Sequence, residues 1–230
     1  YRRQMTSYIA HDLRTPLQVI GGYVEAMAAG DLEPTRARLT TVYAEIEHLQ
    51  RLVADLRMLS QADAGDLPLS RQAVSPQAVL ARVAAAYAVQ AAQQEIILTV
   101  SAQPDLPLLW IDEDRLLQVL NNLLSNALRY TPAGGRITLL AFAQAGGVCL
   151  QVQDTGAGIT ADDLPYVFDR FYRGDRARTD DTAASGLGLA IAKALVELHG
   201  GTITVASLGA GAGAILTIWL PVGIPDRQGA

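Results

Sequence analysis

The sequence predicts two units of different class. The first is a two-helix hairpin that dimerises into a four-helix bundle; the second is an α/β sandwich, a mixed sheet with helices on one face. Three observations carry this. Residues 1 to about 63 hold two long stretches whose apolar residues step by three and four, the period of a helical bundle. After residue 65, amphipathic stretches alternate with short β-branched runs, as in a layered α/β unit. Between them "QADAGDLPLS" breaks the first pattern with Gly65 and Pro68. The units are therefore residues 1–65 and 66–230.

In the first helix Ile9, Leu13, Leu17, Ile20, Val24 and Met27 share a face, and in the second Leu39, Val42, Ile46, Leu49, Val53 and Leu56 do so. "AGDLEPTR" separates them, with Gly30 as a stop and Pro34 as an early residue of the next helix. Two helices make a poor core, so a second copy of the chain is the natural completion. The second unit opens with a helix from about Ser75 to Gln93, then strands in "EIILTV" and "LLWI". A long helix follows from Asp112 to Arg129, then strands "RITLLAFA" and "GVCLQV" and the helix "GLGLAIAKALVELHG". Strands "GTITVAS" and "AILTIWL" close the chain. The glycine-rich "LGAGAG" between them leads into a strand and reads as a hairpin loop, not a phosphate loop.

The 230 residues are 50% hydrophobic, enough for a sizeable core. A net charge of -5 without a basic patch argues against nucleic acid as a partner. The single cysteine, Cys149, sits in an alternating strand pattern and reads as packing; it forms no internal disulfide, as in a reducing compartment. No apolar run approaches the ~20 residues of a membrane span. Tyr1 in place of a methionine suggests an excised part of something longer.

Four stretches carry chemistry. In "YIAHDLRTPL", His11 shares its heptad position with Gln4, Gln18 and Glu25, so it faces solvent. A solvated helix histidine is the plain reading, but its neighbours favour more. Asp12 is placed to hold the near ring nitrogen and leave the far one nucleophilic. Thr15 lies on the same face, one turn on, where its hydroxyl can orient a water. Pro16 removes the helical hydrogen bond to the Asp12 carbonyl, which predicts a kink.

The second stretch is a polar stripe on the long helix: Arg115, Gln118, Asn122, Asn126 and Arg129. A solvated face would favour Glu and Lys, since asparagine is a weak helix former. Amide oxygens suit Mg²⁺, and an arginine just beyond suits phosphate. The third, "QVQDTGAGI", ends a strand on Asp154, then Gly156 and Gly158; it is either a turn or a base-binding carboxylate with bared backbone. The fourth, "SGLGLAIAKALVELHG", opens a helix with Gly186 and Gly188, a phosphate-binding arrangement without the P-loop lysine. Between the last two lies "VFDRFYRGDRARTDDTAAS", a long irregular connection that reads as a lid, from which Arg170 and Arg173 reach phosphates if it closes.

In this order, "HDLRTPL", "NNLLSNALRY", "DTGAGI", "FDRFYRG" and "GLGLAIAKALVELHGG" resemble the successive boxes of bacterial two-component sensor histidine kinases, across essentially the whole chain. The resemblance implies that residues 1–65 are a dimerisation and histidine-phosphotransfer domain, and that 66–230 are a Bergerat-type ATP-binding domain. It makes His11 the phospho-acceptor, Asp12 its general base, and Thr15 the residue that orients water for dephosphorylating a partner. Asn122 and Asn126 fall on the asparagine box, with Asn126 the Mg²⁺ ligand; Arg129 stands near the phosphates and Tyr130 packs on adenine. Asp154 binds the adenine amine, Gly156 and Gly158 shape the base pocket, and Gly186, Leu187 and Gly188 flank the phosphates with Arg173. The implied cofactors are ATP and Mg²⁺, and the implied partners a second copy and the receiver domain of a response regulator. The implied location is the cytoplasm, with any membrane contact made by a sensor region outside this chain. Related ATPases place a water-activating glutamate where Asn122 stands, so transfer to a histidine is favoured over hydrolysis. Two other classes fit parts of the pattern: an ATPase or serine kinase of the same fold, which has no use for "HDLRTP", and a degenerate dimeric scaffold, which has no use for filled boxes.

Overall fold

The structure, a computed structural model, describes residues 2–174 and 185–223, and from 2 to 12 only the backbone. Helix α1 (Arg2–Ala29) continues unbroken through Pro16 and stops at Gly30, whose φ of 82° suits glycine. Helix α2 (Arg36–Ala64) starts later than the proline suggests. Thr35 is its N-cap and accepts from the Arg38 N–H at 3.5 Å, which leaves Pro34 outside the helix. At its far end Gly65 adopts a left-handed conformation and Asp66 N–H returns to the Gln61 carbonyl. Of the expected seam, Val42 is buried but Leu39, Ile46 and Val53 are exposed, as are Leu17 and Val24 of α1. Leu52 and Leu59 are buried instead, in one cluster with the core of the second unit.

That unit begins with a strand the sequence reading missed. β1 (Gln72–Val74) is three residues long and pairs antiparallel with β3 (Leu109–Ile111), too short for alternation to register. Helix α3 (Pro76–Gln93) has Ser75 as N-cap and proline at its first position. The main sheet has the order β2-β4-β5-β7-β6. β2 (Ile97–Ala102) runs parallel to β4 (Arg136–Gln144); β5 (Gly147–Asp154), β7 (Ile215–Pro221) and β6 (Thr202–Ala206) follow antiparallel.

Period-two alternation gives the sheet one buried face. Leu139, Val152 and Leu216 form one register row, and Ala141, Leu150 and Ile218 the next but one. These are buried in one cluster with Leu120, Leu123 and Leu124 of helix α4 (Glu113–Tyr130) and Ile191 and Leu195 of helix α5 (Gly188–Leu198). Each such leucine contributes about 1.5–3 kcal/mol by leaving water. On the other face the Cys149 thiol donates to Gln144 Oε1 at 2.7 Å and burial pushes its pKa up, as fits a packing residue. No helix among the described residues is long and apolar enough to cross a membrane.

Candidate functional site

His11 and Asp12 lie on α1, but their side chains are outside the described residues. Thr15 is exposed one turn further on, and Pro16 beyond it is buried. The nucleotide-type features lie together in the second unit, around the C-terminal half of α4.

Asp154 closes β5 and is only 7% exposed. Its Oδ1 accepts two backbone N–H groups, from Gly156 at 2.8 Å and Ala214 at 3.3 Å. Its Oδ2 accepts no hydrogen bond among the described residues, so one oxygen fixes the carboxyl and the other is left for a ligand. Burial raises the carboxyl pKa and the two N–H groups oppose that rise.

The glycines after it are required by close approach. A Cβ on Gly156 would stand 2.3 Å from the Tyr130 carbonyl oxygen, and one on Gly158, at φ 68°, 2.0 Å from the Gly209 carbonyl. Ala157 N–H donates to Tyr130 O at 2.9 Å, tying the end of α4 to this loop. Beneath it lies the hairpin loop between β6 and β7. Gly211 and Gly213 N–H groups donate to the Ala157 and Gly156 carbonyls at 2.6 and 3.2 Å. Ser207 Oγ donates to the Gly213 carbonyl at 2.6 Å and accepts from the Ile159 N–H at 3.0 Å. "LGAGAG" is thus a hairpin loop, as read, and also the support on which the Gly156–Ile159 loop rests, a role the sequence reading missed. Its signal was available: six small residues in a row, 209–214, leave room for another backbone.

Along α4 the expected stripe divides. Arg115 Nη1 donates to Gln118 Oε1 at 3.3 Å, so its first half is bonded within itself. Asn122 Nδ2 donates to the Gly188 carbonyl at 3.0 Å and joins α4 to α5. Asn126 makes no hydrogen bond among the described residues, and its amide oxygen is available to a hard cation. Arg129 and the Tyr130 ring are exposed beside it.

Gly186 ends the long connection at φ 65°, where a Cβ would meet Phe171 Cα at 2.8 Å. Phe171 N–H donates to the Gly186 carbonyl at 2.9 Å, so the two ends of the connection are joined at its base. Residues 175–184 of the expected lid lie outside the described residues. The Leu187 side chain is fully buried in the core, so only its backbone is left for a ligand. α5 starts at Gly188, and among the described residues no side chain caps its first N–H groups. Arg173 is partly buried, while Arg170 turns away to α2, where Nη2 meets both carboxylate oxygens of Asp63 at 2.6 and 2.7 Å.

Residues 111–224 match the family described as "Histidine kinase-, DNA gyrase B-, and HSP90-like ATPase", and residues 1–65 that described as "His Kinase A (phospho-acceptor) domain". The chain is 37% identical over 228 residues to the sensor histidine kinase WalK of Bacillus subtilis, across 96% of this chain and 36% of that protein. It is 37% identical over 221 residues to the signal transduction histidine-protein kinase BaeS of Escherichia coli, across 96% and 47%. The chain thus spans between about a third and a half of these relatives. Among solved structures it resembles the Acinetobacter baumannii histidine kinase AdeS, with a TM-score of 0.78 at 27% identity, over 93% of this chain and 98% of that one. Full-length ShkA in complex with AMPPNP is similar at a TM-score of 0.69 and 28% identity, over 96% of this chain and 47% of that one.

Proposed function

Since the chain belongs to the two-component sensor histidine kinases and carries their catalytic core, we propose that it phosphorylates itself from ATP on His11. The phosphoryl group then passes to an aspartate on the receiver domain of a response regulator, and the same chain dephosphorylates that regulator. Residues 1–65 serve as the dimerisation and phosphotransfer domain and 66–230 as the ATP-binding domain. In this reading the core works in the cytoplasm.

The observation that carries the nucleotide half is Asp154: a buried carboxylate pinned through Oδ1 by two N–H groups, with Oδ2 left to accept from an exocyclic amine. Gly156 and Gly158 let the loop after Asp154 pack closely on the Tyr130 and Gly209 carbonyls, and the exposed Tyr130 ring offers the base an apolar face. The uncapped N–H groups of α5 at Gly188, with the backbone of Gly186 and Leu187, suit phosphate oxygens, and Arg129 and Arg173 add positive charge. Asn126 would supply an amide oxygen to Mg²⁺, and the ion held there would offset negative charge on the phosphates. Asn122 holds α5 in place through Gly188.

Transfer itself is mostly positioning. The far nitrogen of His11 attacks the γ-phosphorus, its bond to the bridging oxygen breaks, and ADP leaves. Asp12 orients the ring and takes its proton. A second copy of the chain is supported by the exposed heptad columns Leu39, Ile46, Val53 and Leu17, Val24, which one hairpin alone leaves in water.

Incubation with γ-labelled ATP and Mg²⁺, then acid or alkali, tests the whole. Label that survives alkali and is lost in acid is expected, with none in His11→Gln although that variant binds ATP normally. Covalent label retained by His11→Gln would sink the assignment.

A further inference from the structure

The reaction above makes no use of His199, a buried titratable group at the far end of the pocket helices. It ends α5, and both ring nitrogens are engaged. Nδ1 lies 2.7 Å from the Leu195 carbonyl oxygen, and Nε2 accepts the Asp112 backbone N–H at 3.1 Å. A carbonyl can only accept and a backbone N–H can only donate, so the proton sits on Nδ1 and the ring is neutral. A second proton would set Nε2–H against the Asp112 N–H, two buried donors facing each other.

Three parts of the chain meet at this ring. Asp112 caps α4 with Oδ1, accepting from Arg115 N–H at 3.1 Å, while its Oδ2 accepts from Ser70 N–H at 2.9 Å. Arg71 Nη2 donates to the Leu198 carbonyl at 3.1 Å. Ser70 and Arg71 belong to the segment that leads from α2 into the second unit. Ten residues along α4 the same two helices are joined again, by Asn122 Nδ2 and the Gly188 carbonyl. α5 is therefore pinned to α4 at both ends, and its N-terminal pin belongs to the nucleotide pocket.

The charged groups around the ring are Arg71 from the joining segment and Asp112 and Arg115 from α4. Burial depresses the ring pKa below its ordinary 6.5; the two arginines add to this, and the Leu195 carbonyl and Asp112 oppose it. Depression in the folded state means the unfolded chain takes the proton more readily. The stability His199 contributes is complete above pH 6.5 and is lost as pH falls through the folded value.

We propose that His199 is a positioning residue whose neutral ring holds α5 against α4 and the joining segment, so that protonating it loosens the Gly186–Gly188 side of the pocket and makes nucleotide binding acid-sensitive. The proposal rests on the reading of that pocket as an ATP site.

The test titrates the full chain with trinitrophenyl-ATP and Mg²⁺ between pH 8 and pH 5, for the wild type, His199→Gln and His199→Lys. Glutamine keeps an acceptor for the Asp112 N–H and does not titrate, so its profile serves as the reference for changes in the ligand. Relative to it, wild-type affinity should be level above pH 7 and fall severalfold towards pH 5, within the ~10-fold expected for one buried hydrogen bond. Lysine, which only donates, should bind weakly throughout. Parallel profiles for wild type and His199→Gln overturn the proposal, because a merely structural histidine would lower stability without changing the shape. So does a folded His199→Lys with wild-type affinity at pH 7.5; if that variant does not fold, the glutamine comparison decides alone. Absence of binding by the wild type at every pH removes the ATP reading, and the proposal with it.

Discussion

Asp154 divides its two oxygens between the protein and the proposed base, so its substitutions can be separated. Asparagine can keep Oδ1 as acceptor for Gly156 and Ala214, but it turns Oδ2 into a donor facing an exocyclic amine. Asp154→Asn should fold and lose about 10- to 100-fold in ATP affinity, the cost of a mispaired polar contact in a buried site. Equal loss of stability and affinity would make the residue structural. Thr15→Ala separates two activities instead. The Thr15 hydroxyl is one turn from His11 and is not needed to make that ring nucleophilic, and alanine is the better helix former. Autophosphorylation should persist while phosphatase activity toward the regulator falls at least tenfold; joint loss would assign Thr15 to the helix around Pro16. At this scale the sequence named the side chains but not their partners. Asp154 and Gly156 were legible as a pattern, whereas Ala214 and Gly213 act through backbone N–H groups that any residue type carries. Asn122 was legible as unusual, but its amide NH2 turns out to serve the Gly188 carbonyl.

Among the elements, α4 shows why boundaries were easy here and short strands were not. Its apolar period, its Asp112 cap and its eighteen-residue length all agree. β1 has only three residues and exists because Ala73 finds Trp110 across the sheet, a long-range pairing without a local signature. The Asp112 carboxyl also makes α4 sensitive to acid. Burial alone would raise its pKa, but the Ser70 and Arg115 N–H groups and the Arg115 charge outweigh burial and hold it below 3.8. Its stabilisation is therefore present above pH 3.8 and lost as pH falls through the folded value. Asp112→Ala removes the cap and strands the Ser70 N–H, so urea unfolding at pH 7 should show a loss of about 1–3 kcal/mol. The gap between variant and wild type should narrow below pH 4. A constant gap from pH 7 to pH 3 would show that the carboxylate charge contributes nothing.

For the whole molecule, the telling contact joins the two units, and no sequence pattern announces it because its partners are 107 residues apart. Arg170 sits near the start of the long connection, and Asp63 lies in the last turn of α2. In a hairpin whose turn spans residues 30–35, Asp63 is level with the first residues of α1, about 13 Å along the bundle from His11 at 1.5 Å per residue. With Leu52 and Leu59 buried alongside, the pair holds the second unit against α2 while His11, the proposed nucleophile, stands further along α1. A contact made in the resting arrangement and released for transfer adds its own free energy to the barrier. The pair is partly exposed, at 28% and 55%, so that energy is only about 0.2–1 kcal/mol. Asp63→Arg or Arg170→Asp alone should therefore raise the autophosphorylation rate about 1.5- to 5-fold at low salt, and less at high salt, where screening already weakens the pair. The double reversal restores opposite charges and should return the rate to the wild-type level. Single reversals that slow the reaction, with the double reversal restoring it, would mean instead that the pair belongs to the transfer arrangement itself. Failure of the double reversal to restore either direction would remove the pair from the mechanism.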